Sequence, residues 1–384
     1  MSLGVSLVPK IEAIDARDWD ALVGADDPFI EHAFLSALER SRSVGGESGW
    51  MPLHVAVRDG ARLVGALPLY IKLHGYGEYI FDWRWAAAAE RAGIPYYPKL
   101  VSMVPFTPAT GKRVLWADDV DRGAVMRALV QGAFAARDEL GASSVHWLFL
   151  NDEERALLAD NAAVLSRESL QFHWTNDGYA SFDDYLSRFR SSLRKQVRRE
   201  RKQATSGGVE VRVVGGPELT RAEWSALFGF YIDTCHKRGS GPYLTRAFFD
   251  LIKETHAERV VAVLAYRAGT PIAGTFNFER GGNLYGRYWG CSEELPSLHF
   301  ECCYYQLIEH AIARGLRRFE AGAQGTHKLR RGLMPALIHS AHVIQHPGLR
   351  QAVAADLGRE RSAVRAEIAE LSMHGPFKRD NADE

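Results

Sequence analysis

The chain has 384 residues, 46% of them hydrophobic and 24% charged, which is ordinary for a globular protein and, at this length, predicts two domains. Its 47 Lys and Arg are balanced by 47 Asp and Glu, so the net charge is zero. That excludes a surface made wholesale for coating nucleic acid, though not a local basic groove.

No stretch reaches the ~20 apolar residues of a membrane span, and Met1–Lys10 lacks the apolar core of a signal peptide. Cys235, Cys291, Cys302 and Cys303 are too few for a disulfide scaffold and are expected to be reduced thiols of a cytoplasmic protein. Residues 5–14 predict an opening strand, and 18–22 and 31–42 predict helices. Residues 53–58 alternate as a strand, Asp59-Gly60-Ala61-Arg62 makes a hairpin turn, and 63–72 return. The aromatic-rich stretch 76–104 shows no clear period. Pro105-Phe106-Thr107-Pro108-Ala109-Thr110-Gly111 is a loop by composition. A long helix is expected over 120–140 and a buried strand over 144–150.

A second module opens after Trp174, giving expected domains 1–174 and 175–347 with a helical tail over 348–384. Ser181 followed by Asp184 marks a helix start, and the stripe Leu186, Phe189, Leu193, Val197 predicts one helix through Lys202, stopped by Gly207-Gly208. Then come a strand (209–214), helices (220–237 and 245–256), a strand (260–266), its return (271–279) and the turn Arg280-Gly281-Gly282-Asn283. A last strand is expected over 339–345 and a charged helix over 352–372. Arg58-Asp59-Gly60-Ala61-Arg62-Leu63-Val64-Gly65 parallels Arg267-Ala268-Gly269-Thr270-Pro271-Ile272-Ala273-Gly274, each preceded by Val-Ala-Val. This predicts an internal duplication.

The chemistry concentrates between Leu284 and Gly332. Strand alternation puts Tyr285, Arg287 and Trp289 on one face, and an arginine among aromatics is costly unless it meets an anion. A second strand ends at Phe319-Glu320, and Gly322, Gly325 and Gly332 keep the backbone open around Gln324, His327 and Lys328. Ligands of α/β sheets bind beyond the carboxyl ends of strands. Arg287, Glu320 and Lys328 are therefore the expected catalytic group, gathered in one pocket, with Tyr285, Trp289, His299, Glu301, Gln324 and His327 as substrate contacts. The same residues also fit a buried Arg287–Glu320 ion pair and a solvated basic loop at Lys328.

The helix from Tyr185 to Lys202 carries eight bases, of which Arg190, Arg194, Arg198 and Arg201 fall on one line, opposed only by Glu200. A solvated face is the ordinary reading, but this density favours a phosphate-contacting surface. His299, Cys302 and Cys303, with His327, imitate a zinc set, yet three ligands on one helix turn are unusual and no metal is expected. The segment Ser292–Phe300 lacks glycine and carries Glu293-Glu294, unlike a loop that cradles pyrophosphate.

The hairpin around Gly269 resembles the second and third strands of the GNAT acetyltransferase fold. Leu284-Tyr-Gly-Arg-Tyr-Trp-Gly290, Leu298-His-Phe-Glu301, Arg318–Lys328 and Pro105–Gly111 are similar to the FemAB-like family associated with peptidoglycan biosynthesis, a relative of the FemABX aminoacyl transferases. The resemblance spans roughly residues 20–370 and implies an α/β fold with a mixed sheet, built as tandem GNAT-like acyltransferase domains. It further implies an aminoacyl or acyl transferase acting on a small-molecule or peptide amine, with a cell-wall precursor as acceptor. The implied donor is aminoacyl-tRNA or acyl-CoA, with no resident cofactor. FemABX enzymes place an acidic residue and a glycine at a strand end, then a lysine before a glycine; Glu320, Gly322, Lys328 and Gly332 occupy comparable places. A CoA-dependent N-acyltransferase and a non-catalytic RNA- or nucleotide-binding protein are the alternatives.

Overall fold

A computed structural model describes residues 3–239, 241–322 and 325–378. The first elements are β1 (Leu3–Val8), α1 (Ala16–Val23), α2 (His32–Arg40), β2 (Trp50–Pro52), β3 (His54–Asp59), β4 (Arg62–Leu67), β5 (Tyr70–Lys72), α3 (Trp83–Arg91) and β6 (Lys99–Ser102). There follow β7 (Leu115–Trp116), α4 (Arg122–Leu140), β8 (Ser144–Leu150), α5 (Asp152–Ala159), β9 (Leu165–Thr175), α6 (Phe182–Ser187) and α7 (Ser191–Ala204). Next are β10 (Val209–Gly215), α8 (Arg221–Lys237), α9 (Arg246–Thr255), β11 (Val260–Arg267), β12 (Thr270–Arg280) and β13 (Asn283–Cys291). The chain closes with α10 (Leu298–Phe300), α11 (Gln306–Ala313), β14 (Arg318–Glu320), β15 (Met334–Ile344) and α12 (Pro347–Met373). Among the described residues no helix is long and apolar enough to cross a membrane.

Two compact units result, and neither is contiguous. The first takes residues up to Ser169, Tyr243–Ile252 and Leu337–Ala366; the second takes Leu170–Pro242, Lys253–Ala336 and residues from Glu367 on. The contiguous division at 174 and 347 differs because buried contacts, not chain order, set the units. In the first unit, Leu349, Val353 and Leu357 of α12 pack with Trp85, Ala89 and Tyr96, which ties the first part of the expected tail to that unit's core.

The duplicated hairpin has a structural counterpart. The orders β1-β3-β4 and β10-β11-β12 repeat, antiparallel throughout, with two helices between the first and second strand of each. Gly60 and Gly269 both turn at positive φ, 59° and 77°. Gly65 and Gly274 each lie against a helix: a Cβ would stand 2.3 Å from Val125 Cγ1 of α4, or 3.1 Å from Leu227 Cδ2 of α8. Both units are thus GNAT-like and the fold is mixed α/β. They diverge after the hairpin, where the two-residue β7 stands in the place of nine-residue β13.

In the second unit the strand order is β10-β11-β12-β13-β14-β9, antiparallel except for the parallel pair β13–β14. One core of Trp174, Tyr185, Phe189, Val197, Val263, Ile308, Phe319 and their neighbours fills it. Thr220 and Glu223 form a reciprocal capping box that starts α8.

One expectation is corrected here, and two stretches without an assignment gain one. The single helix through Lys202 is two, α6 and α7, separated by Arg188–Arg190. Phe189 leaves the helix to bridge Phe377, a partner no local periodicity reveals. The unparsed stretch 76–104 holds α3 and β6, and the unpredicted β9 supplies the strand beside β14.

Candidate active site

The site begins with a β-bulge. Phe276 pairs with Tyr288 while Asn277 pairs with Gly286, so Arg287 is the extra residue in β13. The bulge inverts the alternation beyond it, and Tyr285 and Trp289 lie on opposite faces rather than one. Tyr285 is buried in the sheet, Tyr288 packs on Tyr231 of α8 at 4.9 Å, and Trp289 meets His299 at 5.3 Å. Arg287 is half-buried, with its guanidinium 5.2 Å over the Tyr288 ring.

Just before the bulge the parallel strands part. Their pairing ends at Tyr285–Glu320. Glu320 is buried, bridged by Arg318 at 3.0 Å with His173 Nε2 at 3.8 Å. Burial keeps the His173 imidazole below its usual pKa. Gly322 follows at φ 79°, and the ammonium of Lys328 donates to its carbonyl at 2.7 Å. Glu320 and Lys328 are therefore tied to the same strand end. Gly286, the neighbour of Arg287, comes near it: its carbonyl oxygen lies 3.8 Å from a Cβ built on Gly322, while the Arg287 guanidinium lies over Tyr288. Gln324 lies outside the described residues.

Lys328 sits on a six-residue 3-10 helix, Thr326–Arg331, and is 2% exposed. Burial lowers its pKa to about 8. Around it stand neutral rings: His299, pushed by burial to about 4, and His327, also lowered by burial. Tyr304 Oη and His327 Nε2 are 2.8 Å apart. His299 and Tyr304 come from the helix α10–α11, which a π-turn at Glu301–Tyr305 interrupts. Within it Cys302 points into the core and Cys303 is half-buried, with Lys328 close enough to act on its thiol electrostatically. The zinc-like set does not assemble: among the described residues no group of three or more His, Cys, Asp or Glu could hold a metal ion.

A charged scaffold supports the 3-10 helix from below. Arg331 donates through Nη2 to both carboxylate oxygens of Glu200 at 3.0 and 2.9 Å, lies 3.4 Å over the Phe300 ring, and donates through Nη1 to His327 O at 2.8 Å. Tyr305 Oη donates to the same Glu200. The sequence signal for this pair was present: Glu200 is a lone acid among eight bases.

The expected basic line does not stand free. Arg190 precedes α7 and donates to Gly375 O at 2.6 Å; Arg194 reaches Ser187 O at 3.5 Å; Arg198 bridges Asp183 at 3.1 Å. Arg201 bridges Glu301 and Glu309 at 3.0 and 2.7 Å, so two expected substrate contacts, Arg201 and Glu301, pair with each other. The cations that α7 exposes without a partner among the described residues are Lys195, Arg199 and Lys202, at i, i+4 and i+7. Glu293 and Glu294 bridge Arg267 and Lys237.

The sequence profile of the FemAB-like family, described as peptidoglycan biosynthesis/recognition, matches residues 10–379. The chain belongs to the FemAB-like family. No curated protein matches it in sequence. Among solved structures, FemX aligns with a TM-score of 0.53 at 11% identity, over 89% of this chain and 98% of that one. The C-terminal domain of a putative lysylphosphatidylglycerol synthetase from Agrobacterium fabrum aligns at 0.54 and 11% identity, over 90% and 96%. L-PGS from Bacillus licheniformis aligns at 0.51 and 11%, over 90% and 97%. At such identity these likenesses show a shared fold and no more. In this FemAB-like chain the fold delivers a parted strand end, a buried amine and a ring of neutral aromatics to one place.

Proposed function

We propose that this FemAB-like protein is an aminoacyl or acyl transferase whose acceptor is an amine of a peptidoglycan precursor. The observation that carries this reading is Lys328, a buried ammonium with a pKa of about 8 hung from the parted strand end at Gly322. At neutral pH it is mostly protonated, yet gives its proton up more readily than a solvated lysine. The acceptor amine attacks the acyl carbonyl; a C–N bond forms and the ester C–O bond breaks. Lys328 matches the oxyanion charge and protonates the departing hydroxyl.

The amine must lose a proton. Glu320 is already engaged by Arg318, so it serves better to fix the electrostatics of the strand end. His327 is exposed, neutral and anchored through Nε2 to Tyr304. With its proton on Nε2, its Nδ1 lone pair accepts the proton of the amine. Lys195, Arg199 and Lys202 supply a basic strip for the phosphates of a tRNA donor or a nucleotide-linked precursor.

A thermal-shift comparison of aminoacyl-tRNA, acyl-CoA and a UDP-linked muropeptide tests this reading. Stabilisation by charged tRNA and muropeptide is expected. Stabilisation by acyl-CoA alone would replace it with a CoA-dependent N-acyltransferase.

A further inference from the structure

The 3-10 helix that carries Lys328 has little to hold it in place by itself. It is six residues long, and glycines at positive φ flank it, Gly325 at 115° and Gly332 at 82°. Short 3-10 segments are weakly bonded, and glycine joints leave them free to swing. Its far joint is gripped from outside. Tyr185 Oη donates to Arg331 O at 2.7 Å. Tyr185 and Phe189 occupy the room that Gly332 leaves: a Cβ there would stand 1.8 Å from Tyr185 Oη and 3.0 Å from Phe189 Cζ.

Those two aromatics are in turn held by the end of the chain. Phe377 forms an isolated bridge with Phe189, and its ring lies 5.2 Å from Phe189 and 6.2 Å from Tyr185. Arg190 N donates to Pro376 O at 2.9 Å, Lys378 N to Arg188 O at 2.8 Å, and the Arg190 guanidinium to Gly375 O at 2.6 Å. This strap also accounts for the break between α6 and α7. Arg188-Phe189-Arg190 contains no glycine or proline, and the apolar stripe runs straight through it. The backbone bonds to Pro376 and Lys378 pull Phe189 out of a helix that its own sequence would continue.

We infer that the C-terminal segment Gly375–Lys378 is a positioning strap for the site: Phe377 fixes Tyr185, and Tyr185 fixes the Arg331–Gly332 joint that sets where Lys328 sits. Phe377 and Tyr185 are positioning residues, since they touch the lysine only through the joint. Groups that act on one reacting centre must be held close to their working geometry, and a loop between two glycines cannot do that alone.

The test follows Lys328 itself by NMR titration of 13C-labelled lysine in the full-length protein. In Phe377→Ala the Lys328 midpoint is expected to rise from about 8 toward the ordinary 10.5 by at least one pH unit, as the amine swings into water. Phe377→Tyr should restore it. Tyr185→Phe, which removes only the hydroxyl and keeps the ring, should shift the midpoint in the same direction by less. Unchanged Lys328 midpoints in folded Phe377→Ala and Tyr185→Phe would overturn the assignment. If Phe377→Ala fails to fold, Tyr185→Phe decides alone. The importance of Lys328 depends on the transferase reading, but its titration does not. A protein with no turnover and a shifted Lys328 therefore separates failure of that reading from failure of the strap. Where turnover is measured, Phe377→Ala should lower kcat at least tenfold with KM within twofold.

Discussion

Lys328 donates its ammonium to the carbonyl of Gly322, at 2.7 Å, where the two parallel strands of the second unit have just parted. This is a buried charge with one acceptor among the described residues, and it costs stability. Its folded pKa of about 8 lies below the ordinary 10.5, so between those values the unfolded chain binds more protons. The penalty is therefore full below pH 8 and relieved as pH rises toward 10.5. Lys328→Met should be more stable than the parent at pH 7 by about 1–2 kcal/mol, the lost hydrogen bond offsetting part of the relief. Urea unfolding at pH 7 and pH 10 checks this: the advantage must shrink at the higher pH.

Arg331 and Glu200 hold the floor of the site. Breaking a buried pair by removing one partner costs about 3–5 kcal/mol. Arg331→Met should cost toward the lower end, because Tyr305 and Gln196 still serve Glu200. The double variant Glu200→Gln/Arg331→Met should cost less than the sum of the singles by more than 1 kcal/mol. Denaturation midpoints of the four proteins give that coupling directly.

Gly290 is where α8 crosses β13. A Cβ there would stand 1.9 Å from the carbonyl oxygen of Phe230. Backbone cannot yield as a side-chain tip can, so Gly290→Ala should destabilise by about 2–3 kcal/mol or more. A melting temperature within one degree of the parent would show that the helix and strand do not meet this closely.

The exposed strip on α7 predicts a clean separation of binding from stability. Lys195→Ala/Arg199→Ala/Lys202→Ala should leave the unfolding midpoint unchanged, because none of the three has a partner among the described residues. It should weaken tRNA or polyanion binding and flatten its salt dependence by roughly two to three in log–log slope. Arg201→Ala should do the reverse, destabilising through Glu301 and Glu309.

Much of this architecture was legible in the residues. Hydrophobic period, capping residues and the repeated hairpin located most elements of the second unit, and the glycine-flanked segment at Lys328 was singled out. What the sequence hid was non-local. The bulge at Arg287 depends on the register of β12, and it moves Trp289 to the face opposite Tyr285. The break at Phe189 depends on Phe377, far away in sequence. The π-turn at Glu301–Tyr305 carries no local sequence signal, and within it Cys302 enters the core while Cys303 stays half-buried. The basic helix was visible, but not which of its cations would be consumed by Gly375, Ser187, Asp183 and Glu301.

The central claim is that Lys328 takes part in acyl transfer at the parted strand end. It is tested most directly by single-turnover transfer of a labelled aminoacyl group from tRNA to a cell-wall precursor, comparing the parent with folded Lys328→Met. The account predicts amide formation by the parent and at least a hundredfold slower step in the variant, about 3 kcal/mol of lost transition-state stabilisation. Equal rates in the two proteins would contradict it.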